Sequence, residues 1–328
     1  MAPHPHPQTV PLSPRSLMDP QMAAAMDKMA EIAASVGPVP AKPTPEEVRL
    51  RTLIERRFWN EEPVAVSAVE DIELPGLFRP VRVRRYRPSL APALPAIVYF
   101  HGGGWVKGSP DTHDRAGRVL ARESGAMVFA VDYALAPEHP FPEPLDESVA
   151  VIEALANTAV RWGIDARRMA LAGDSAGGNL ALAAALDLRL SRPDLIRALL
   201  LFYGVYGATL DTGSYREFGD GRFGLSRDDM AAYWAAYAPT KRDRTDPRAA
   251  PLLADLAGLP AVHLVAAGLD VLLDDTLALV RRLDAAGVPF ELKRVEGVGH
   301  GFIGLGRMVD AADAAIAGAA AFARRHLA

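Results

Sequence analysis

The sequence predicts an α/β fold in which a mostly parallel sheet is covered by helices on both faces. Three observations carry this expectation. From Pro95 onward, short apolar runs alternate with stretches of helical periodicity, the pattern of strand–helix–strand units. Gly173-Asp174-Ser175-Ala176-Gly177 stands between an apolar run ending at Ala172 and an Ala/Leu helix, which fits a Gly-x-Ser-x-Gly turn. A second glycine run, His101-Gly102-Gly103-Gly104-Trp105, directly follows the first central apolar run.

Taken in order, residues 1–15 read as a flexible leader, because Met1–Pro14 holds five prolines and no apolar signal-like core. Residues 16–62 read as two helices forming a cap or an N-terminal packing arm. In the first, Leu17, Met22, Met26, Met29 and Ile32 recur at helical spacing until Gly37-Pro38. In the second, Thr44 caps, Pro45 suits the first position, Glu46-Glu47 complement the dipole, and the pattern runs to about Trp59. Residues 63–328 form the main domain, opening with strands over Val64–Leu74 and Val81–Arg87. The arginines 79, 82, 84, 85 and 87 are expected on the solvated face of an outer strand rather than in a nucleic-acid stripe. Further strands are expected at Ala96–Phe100, Met127–Val131, Met169–Ala172, Ala198–Tyr203, Ala261–Ala267 and Pro289–Arg294. Helices fall near Thr112–Ser124, Leu145–Thr158, Asn179–Leu190, Asp274–Ala286 and Met308–Ala328. An aromatic-rich insertion at about residues 206–250 interrupts this rhythm, with a helix over Ser226–Ala238. Its Phe223, Tyr233 and Trp234, together with Trp105, are candidate substrate-pocket residues, and packing into a small core of its own is the competing use.

Composition removes several function classes. The 36 basic and 40 acidic residues give a net charge of −4, which offers no general attraction to nucleic acid or anionic membrane. The absence of cysteine removes thiol catalysis, disulfides and Cys-ligated metal sites. No apolar run reaches the length of a membrane-spanning helix, and a soluble, cytoplasmic protein is expected.

Ser175, on the sharp turn, is the candidate nucleophile, and the Ala176 N–H at the helix start points where an oxyanion would develop. A nucleophilic serine needs a base and an acid that orients the base. Of the eight histidines, His300 alone follows the last strand in a glycine-flanked loop, Gly299-His300-Gly301, in the order Ser, acid, His. The acid falls in the loop after the preceding strand, at Asp270, with Asp274 and Asp275 as alternatives at the start of the next helix. The glycines at 102–104 let backbone N–H groups face a reacting carbonyl, although such a run also suits a phosphate.

Through His101–Trp105, Asp132–Glu138, Gly173–Asn179 and Gly299–Phe302, the chain resembles the hormone-sensitive-lipase-like branch of the α/β-hydrolase superfamily, close to bacterial carboxylesterases. The resemblance spans roughly Pro95 to Phe302. It implies an eight-stranded sheet, a helical cap, oxyanion donors at Gly103, Gly104 and Ala176, and a serine hydrolase without metal or organic cofactor. Glu138 is implied to be structural. The sequence departs from the family where Val271-Leu272 follows Asp270 in place of the frequent Pro-Leu, and where Ala134 replaces a frequent arginine. The expected reaction is hydrolysis of a short- to medium-chain acyl ester. Amide, lactone or carbamate hydrolysis and a non-catalytic small-molecule receptor are the alternatives, and family likeness suggests a homodimer through the last strand and the C-terminal helix.

Overall fold

The computed structural model describes residues 14–328, so residues 1–13 of the expected leader lie outside the described residues. The single helix expected from Ser16 is divided into α1 (Pro14–Leu17) and α2 (Pro20–Val36). Pro20 lacks the N–H needed to continue a preceding turn, and the Asp19 carboxylate caps the new helix by accepting from the Gln21 and Met22 N–H groups. In α3 (Pro45–Asn60), Thr44 and Glu47 form a reciprocal capping box.

The remaining elements follow as β1 (Ala68–Pro75), β2 (Pro80–Arg87), β3 (Leu94–Phe100), α4 (Asp114–Ser124), β4 (Met127–Val131), α5 (Glu143–Asn157), α6 (Ala159–Trp162), β5 (Ile164–Asp174), α7 (Ala176–Ser191) and β6 (Ile196–Phe202). The insertion carries α8 (Gly213–Phe218), α9 (Arg227–Tyr237) and α10 (Lys241–Arg244). The chain then closes with β7 (Ala261–Leu269), α11 (Leu273–Ala285), β8 (Phe290–Gly299) and α12 (Asp310–His326).

The eight strands form one sheet in the order β1-β2-β4-β3-β5-β6-β7-β8. β2 pairs antiparallel with both β1 and β4, and the other pairs are parallel. Side chains of a strand alternate between faces, so a sheet covered on both sides needs apolar residues at successive positions. β3 meets this demand. Its Ala96, Val98 and Phe100 pack into the layer of α5, α7 and α11, while Ile97 and Tyr99 pack into the layer of α4 and α12. In register, Val98 lies between Phe129 and Leu171.

The arginines of β2 are not on an outer strand, because β1 lies outside it. The pairing sets Arg84 opposite Asp71 and Arg85 opposite Glu70. Arg84 also meets Asp111 at 2.7 Å, and Arg82 meets the same carboxylate at 2.6 Å. These partners, Asp71 and Glu70 across the ladder and Asp111 from the segment before α4, neutralise Arg82, Arg84 and Arg85 within the protein. Because β3, β5, β7 and β8 run parallel, the segments that follow them emerge at one edge of the sheet. That edge gathers His101, Ser175, Asp270 and His300.

Candidate active site

Ser175 sits between β5 and α7 with φ 54° and ψ −120°, a sparsely populated conformation for a residue with a side chain. The surrounding turn is closed enough to require glycine on both sides. A Cβ at Gly173 would fall 2.2 Å from the Gly177 carbonyl oxygen, and one at Gly177 would fall 1.9 Å from that of Phe100. The Ser175 N–H donates to the Phe202 carbonyl at 2.9 Å, which anchors the strained residue to β6.

The His300 Nε2 lies 2.8 Å from the Ser175 Oγ, and its Nδ1 lies 2.7 Å from the Asp270 Oδ2. Asp270 is 2% exposed, and its other oxygen accepts from the Leu272 N–H at 3.0 Å, so the carboxylate is fixed at both ends. The two alternative acids face elsewhere. Asp274 accepts from the Ser214 N–H at 2.9 Å, and Asp275 accepts from the N–H groups of Tyr206 and Gly207 at 2.8 and 2.9 Å. Burial raises the Asp275 carboxyl to about 7 against the pull of those two donors, with the charges of Asp270 and Asp274 adding to the rise.

Gly103 and Gly104 take φ values of 124° and 61°, and a Cβ on Gly104 would fall 2.4 Å from the Tyr233 ring. This close approach explains why the loop is built of glycine. Its placement relative to Ser175 depends on Asp174. The buried Asp174 Oδ1 accepts from the Gly102 N–H at 2.9 Å and from the Tyr99 hydroxyl at 2.6 Å, and His113 Nε2 stands 3.7 Å from Oδ2. Burial opposes ionisation here, but His113 and the Tyr99 hydrogen bond outweigh it and hold the carboxyl at about 2. One anionic side chain therefore ties the glycine loop to the residue preceding Ser175. His101 is driven by burial to about 3, stacks on Tyr133 at 4.3 Å, and holds its Nδ1 2.8 Å from the Gly102 carbonyl, the geometry of a neutral strut.

A cavity of about 480 Å³ opens over this edge, bordered by Gly102, Gly103, Gly104, Ser175 and His300. Of the four residues expected to contact substrate, Tyr233 borders the cavity. Trp105, Phe223 and Trp234 do not. Trp105 is fully buried, stacked on Tyr237 at 4.2 Å and 5.0 Å from Trp234, while Phe223 packs edge-on against Phe218 at 5.7 Å. Rings of this size gain more from burial in a shared core than from facing water, so three of the four became the packing that holds the insertion in place. Ala176, also buried, opens α7 directly after Ser175.

The N-terminal helices are expected from sequence as a cap or packing arm, but none of their residues is singled out there as bordering the cavity. Met29, Ile32 and Ala33 of α2 and Thr52, Arg56 and Trp59 of α3 border the cavity. Arg49 explains how α3 is held there. Its guanidinium pairs with Glu138 at 2.6 and 2.9 Å and donates to the carbonyls of Val106 and Ala136, which pins α3 beside the glycine loop. The apolar spacing of α2 was a signal for a packed face but could not say what it faced. Among the described residues, no group of three His, Asp or Glu side chains is arranged to hold a metal ion.

A family model for the α/β-hydrolase fold matches residues 97–304. The chain belongs to this family, in its hormone-sensitive-lipase-like carboxylesterase branch. Among its relatives, an acetyl esterase of Salmonella schwarzengrund is 37% identical over 289 residues, covering 87% of this chain and 88% of the relative. Among solved structures, an esterase of Pyrobaculum calidifontis superposes with a TM-score of 0.87 at 32% identity, over 94% of this chain and 98% of its own. A thermostable carboxylesterase cloned from a metagenomic library gives a TM-score of 0.85 at 36% identity, over 87% and 98%.

Proposed function

We propose that this protein hydrolyses short-chain acyl esters through an acyl-enzyme on Ser175. Carboxylic ester hydrolysis is the activity of the family branch to which the chain belongs, and the acetyl esterase relatives support a small acyl group. The observation that carries the assignment of roles is the continuous contact from Asp270 through His300 to the Ser175 Oγ.

In this reading, His300 Nε2 takes the Ser175 proton as Oγ attacks the ester carbonyl. Asp270 holds the Nδ1–H tautomer and stabilises the imidazolium that forms. The N–H groups of Gly103, Gly104 and Ala176 receive the oxyanion, where loss of one donor typically costs about a hundredfold or more. The imidazolium then protonates the departing alkoxide. Water, deprotonated by the same histidine, attacks the acyl-enzyme, and the tetrahedral intermediate collapses to free acid and Ser175.

α2, α3 and the insertion at about residues 206–250 act as the cap, with Tyr233 limiting the acyl pocket. Cytoplasmic residence extends the reading from sequence and is tested by cell fractionation. A homodimer through β8 and α12 is supported by the position of β8 at the end of the sheet and is tested by sedimentation. Among the described residues, no helix is long and apolar enough to cross a membrane.

The deciding experiment is hydrolysis of p-nitrophenyl acetate, butyrate and octanoate by the protein and by Ser175→Ala. Activity that falls with acyl length and vanishes in the variant is expected. Greatest activity on octanoate would overturn the short-chain assignment, and greater activity on amides than on matched esters would overturn the choice of ester.

A further inference from the structure

The charged groups around the cavity are unequally satisfied. Three carboxylates and two cations border it: Glu55, Asp174, Asp229, Arg56 and Lys107. All three carboxylates are occupied, Asp174 by the Gly102 N–H and the Tyr99 hydroxyl. Glu55 pairs with Arg51 at 2.7 Å, and the Asp229 Oδ2 accepts from the Ser226 N–H and hydroxyl at 3.0 and 2.6 Å in the cap of α9. Neither cation has an ion pair or a side-chain hydrogen bond among the described residues. Arg56 is half-buried, and Lys107 has only the Tyr233 ring, 5.9 Å from its Nζ to the ring centroid. The carboxylates outnumber the cations by one, yet each carboxylate is matched within the protein, and the charge left unmatched is positive.

The position of Arg56 adds a direction. Its guanidinium stands beside the segment that follows His300, where a Cβ on Gly301 would fall 3.8 Å from Nη2 and one on Gly304 2.8 Å from Nη1. His300 must hand its proton to the departing oxygen, so the alcohol portion of an ester lies on the His300 side of Ser175. Arg56 therefore borders the cavity on the side where the alcohol portion would lie. A guanidinium is permanently charged and presents a planar fork that matches a carboxylate.

We infer that the substrate is a short acyl ester of a hydroxy acid, its free carboxylate held by Arg56 beside His300 while Ser175 attacks the acyl group. This rests on the esterase reading and narrows it to a substrate class. Bonds made and broken are those of ordinary ester hydrolysis, so acyl transfer to Ser175 releases the hydroxy acid and water releases the acyl group as its acid. Lys107, on the glycine-loop side, adds a second positive charge at the mouth and assists capture of the anion.

The test compares 3-acetoxybutanoate with the uncharged 3-acetoxybutanamide, which differ in charge at nearly constant shape. For the unmodified protein, kcat/KM is expected to favour the carboxylate by about tenfold at low salt, with the preference shrinking as ionic strength rises. Arg56→Gln is expected to bring the ratio close to one, mainly through KM for the carboxylate, and Arg56→Glu to invert it. Arg56→Lys should restore part of the preference, and circular dichroism of all variants shows whether the fold is retained. As a measurement independent of turnover, 3-hydroxybutanoate should compete with p-nitrophenyl acetate more strongly than 3-hydroxybutanamide does. A ratio at or below one in the unmodified protein, or equal losses on both esters in Arg56→Gln, overturns the inference. Hydrolysis of p-nitrophenyl acetate separates the two levels. If the protein turns it over through Ser175 but ignores the carboxylate, the substrate class fails and the esterase reading stands. If it is inert and indistinguishable from Ser175→Ala, both fail together.

Discussion

The edge of the sheet and the cap over it are held by different physics. At the edge, Ser175, His300 and Asp270 are bound to one another by hydrogen bonds of 2.7 and 2.8 Å, and Asp174 ties the glycine loop to the same turn. The cap is held by the packing of Trp105, Trp234 and Tyr237 on one side and by the Arg49–Glu138 pair on the other. Directional bonds fix distances to the reacting atoms, as chemistry requires. Packing fixes a volume, and charges left unpaired at its margin are free to meet a substrate. In the proposed reading, the edge specifies the reaction and the cap specifies what is admitted to it.

If that division is right, variants at the edge abolish turnover while the protein stays folded. Ser175→Ala and Asp270→Asn are each expected to lower kcat by at least about a thousandfold, with little change in melting temperature. Pre-steady-state kinetics on p-nitrophenyl acetate checks this, since Ser175→Ala should show no acyl-enzyme burst.

The cap should respond in the opposite currency. Trp105→Ala leaves a void among stacked rings and is expected to destabilise the fold by about 3–5 kcal/mol, measured by urea unfolding. Tyr233→Ala, at the cavity wall, is expected to alter stability much less and to raise butyrate and octanoate turnover relative to acetate. A large stability loss in Tyr233→Ala with an unchanged chain-length profile would erase the contrast.

Asp174 holds to the edge the glycine loop on which the insertion packs through Trp105, which makes it a sharper probe. Asp174→Asn is expected to lower kcat by about tenfold, with KM little changed, because the glycine loop loses its anionic anchor. Its carboxyl lies below the ordinary value of 3.8, at about 2. The stability it contributes is therefore present above pH ~4 and lost as pH falls through about 2, a window that Asp174→Asn should remove from acid unfolding curves.

The smallest effect is expected at Asp275, which joins the base of the insertion to α11. Its carboxyl is raised from 3.8 to about 7, so the folded protein binds this proton more tightly than the unfolded chain. The resulting stability is complete below pH ~4 and declines as pH rises through 7. Asp275→Asn stays neutral and retains a carbonyl acceptor for the Tyr206 and Gly207 donors. Its melting temperature relative to the unmodified protein should therefore rise between pH 5 and pH 8, by about a few degrees.

Much of this architecture was legible because it is local. The Thr44 cap, the glycine-flanked Ser175 and the apolar runs of the central strands follow from rules that act over a few residues. β4 occupies the span of its apolar run, Met127–Val131, whereas β5 and β8 extend beyond their apolar runs because ladder hydrogen bonds continue after hydrophobicity ends. The break at Pro20 falls inside an apolar spacing that by itself reads as one continuous helix.

By itself, then, the sequence determined the order of strands and helices, the strained turn at Ser175, and the chain order in which a serine, an acid and a histidine leave parallel strands. Sequence also favoured Asp270 as the acid, the carboxylate that meets His300, whereas tertiary structure alone decided that Trp105, Phe223 and Trp234 would be core while Tyr233 faces the cavity, and that Arg56 would stand unpaired beside His300. The reason is physical. A turn or a cap is fixed by neighbours in the chain, but the partner of a charge and the exposure of a ring are set by groups far away in sequence, which become neighbours only when the sheet and cap have packed.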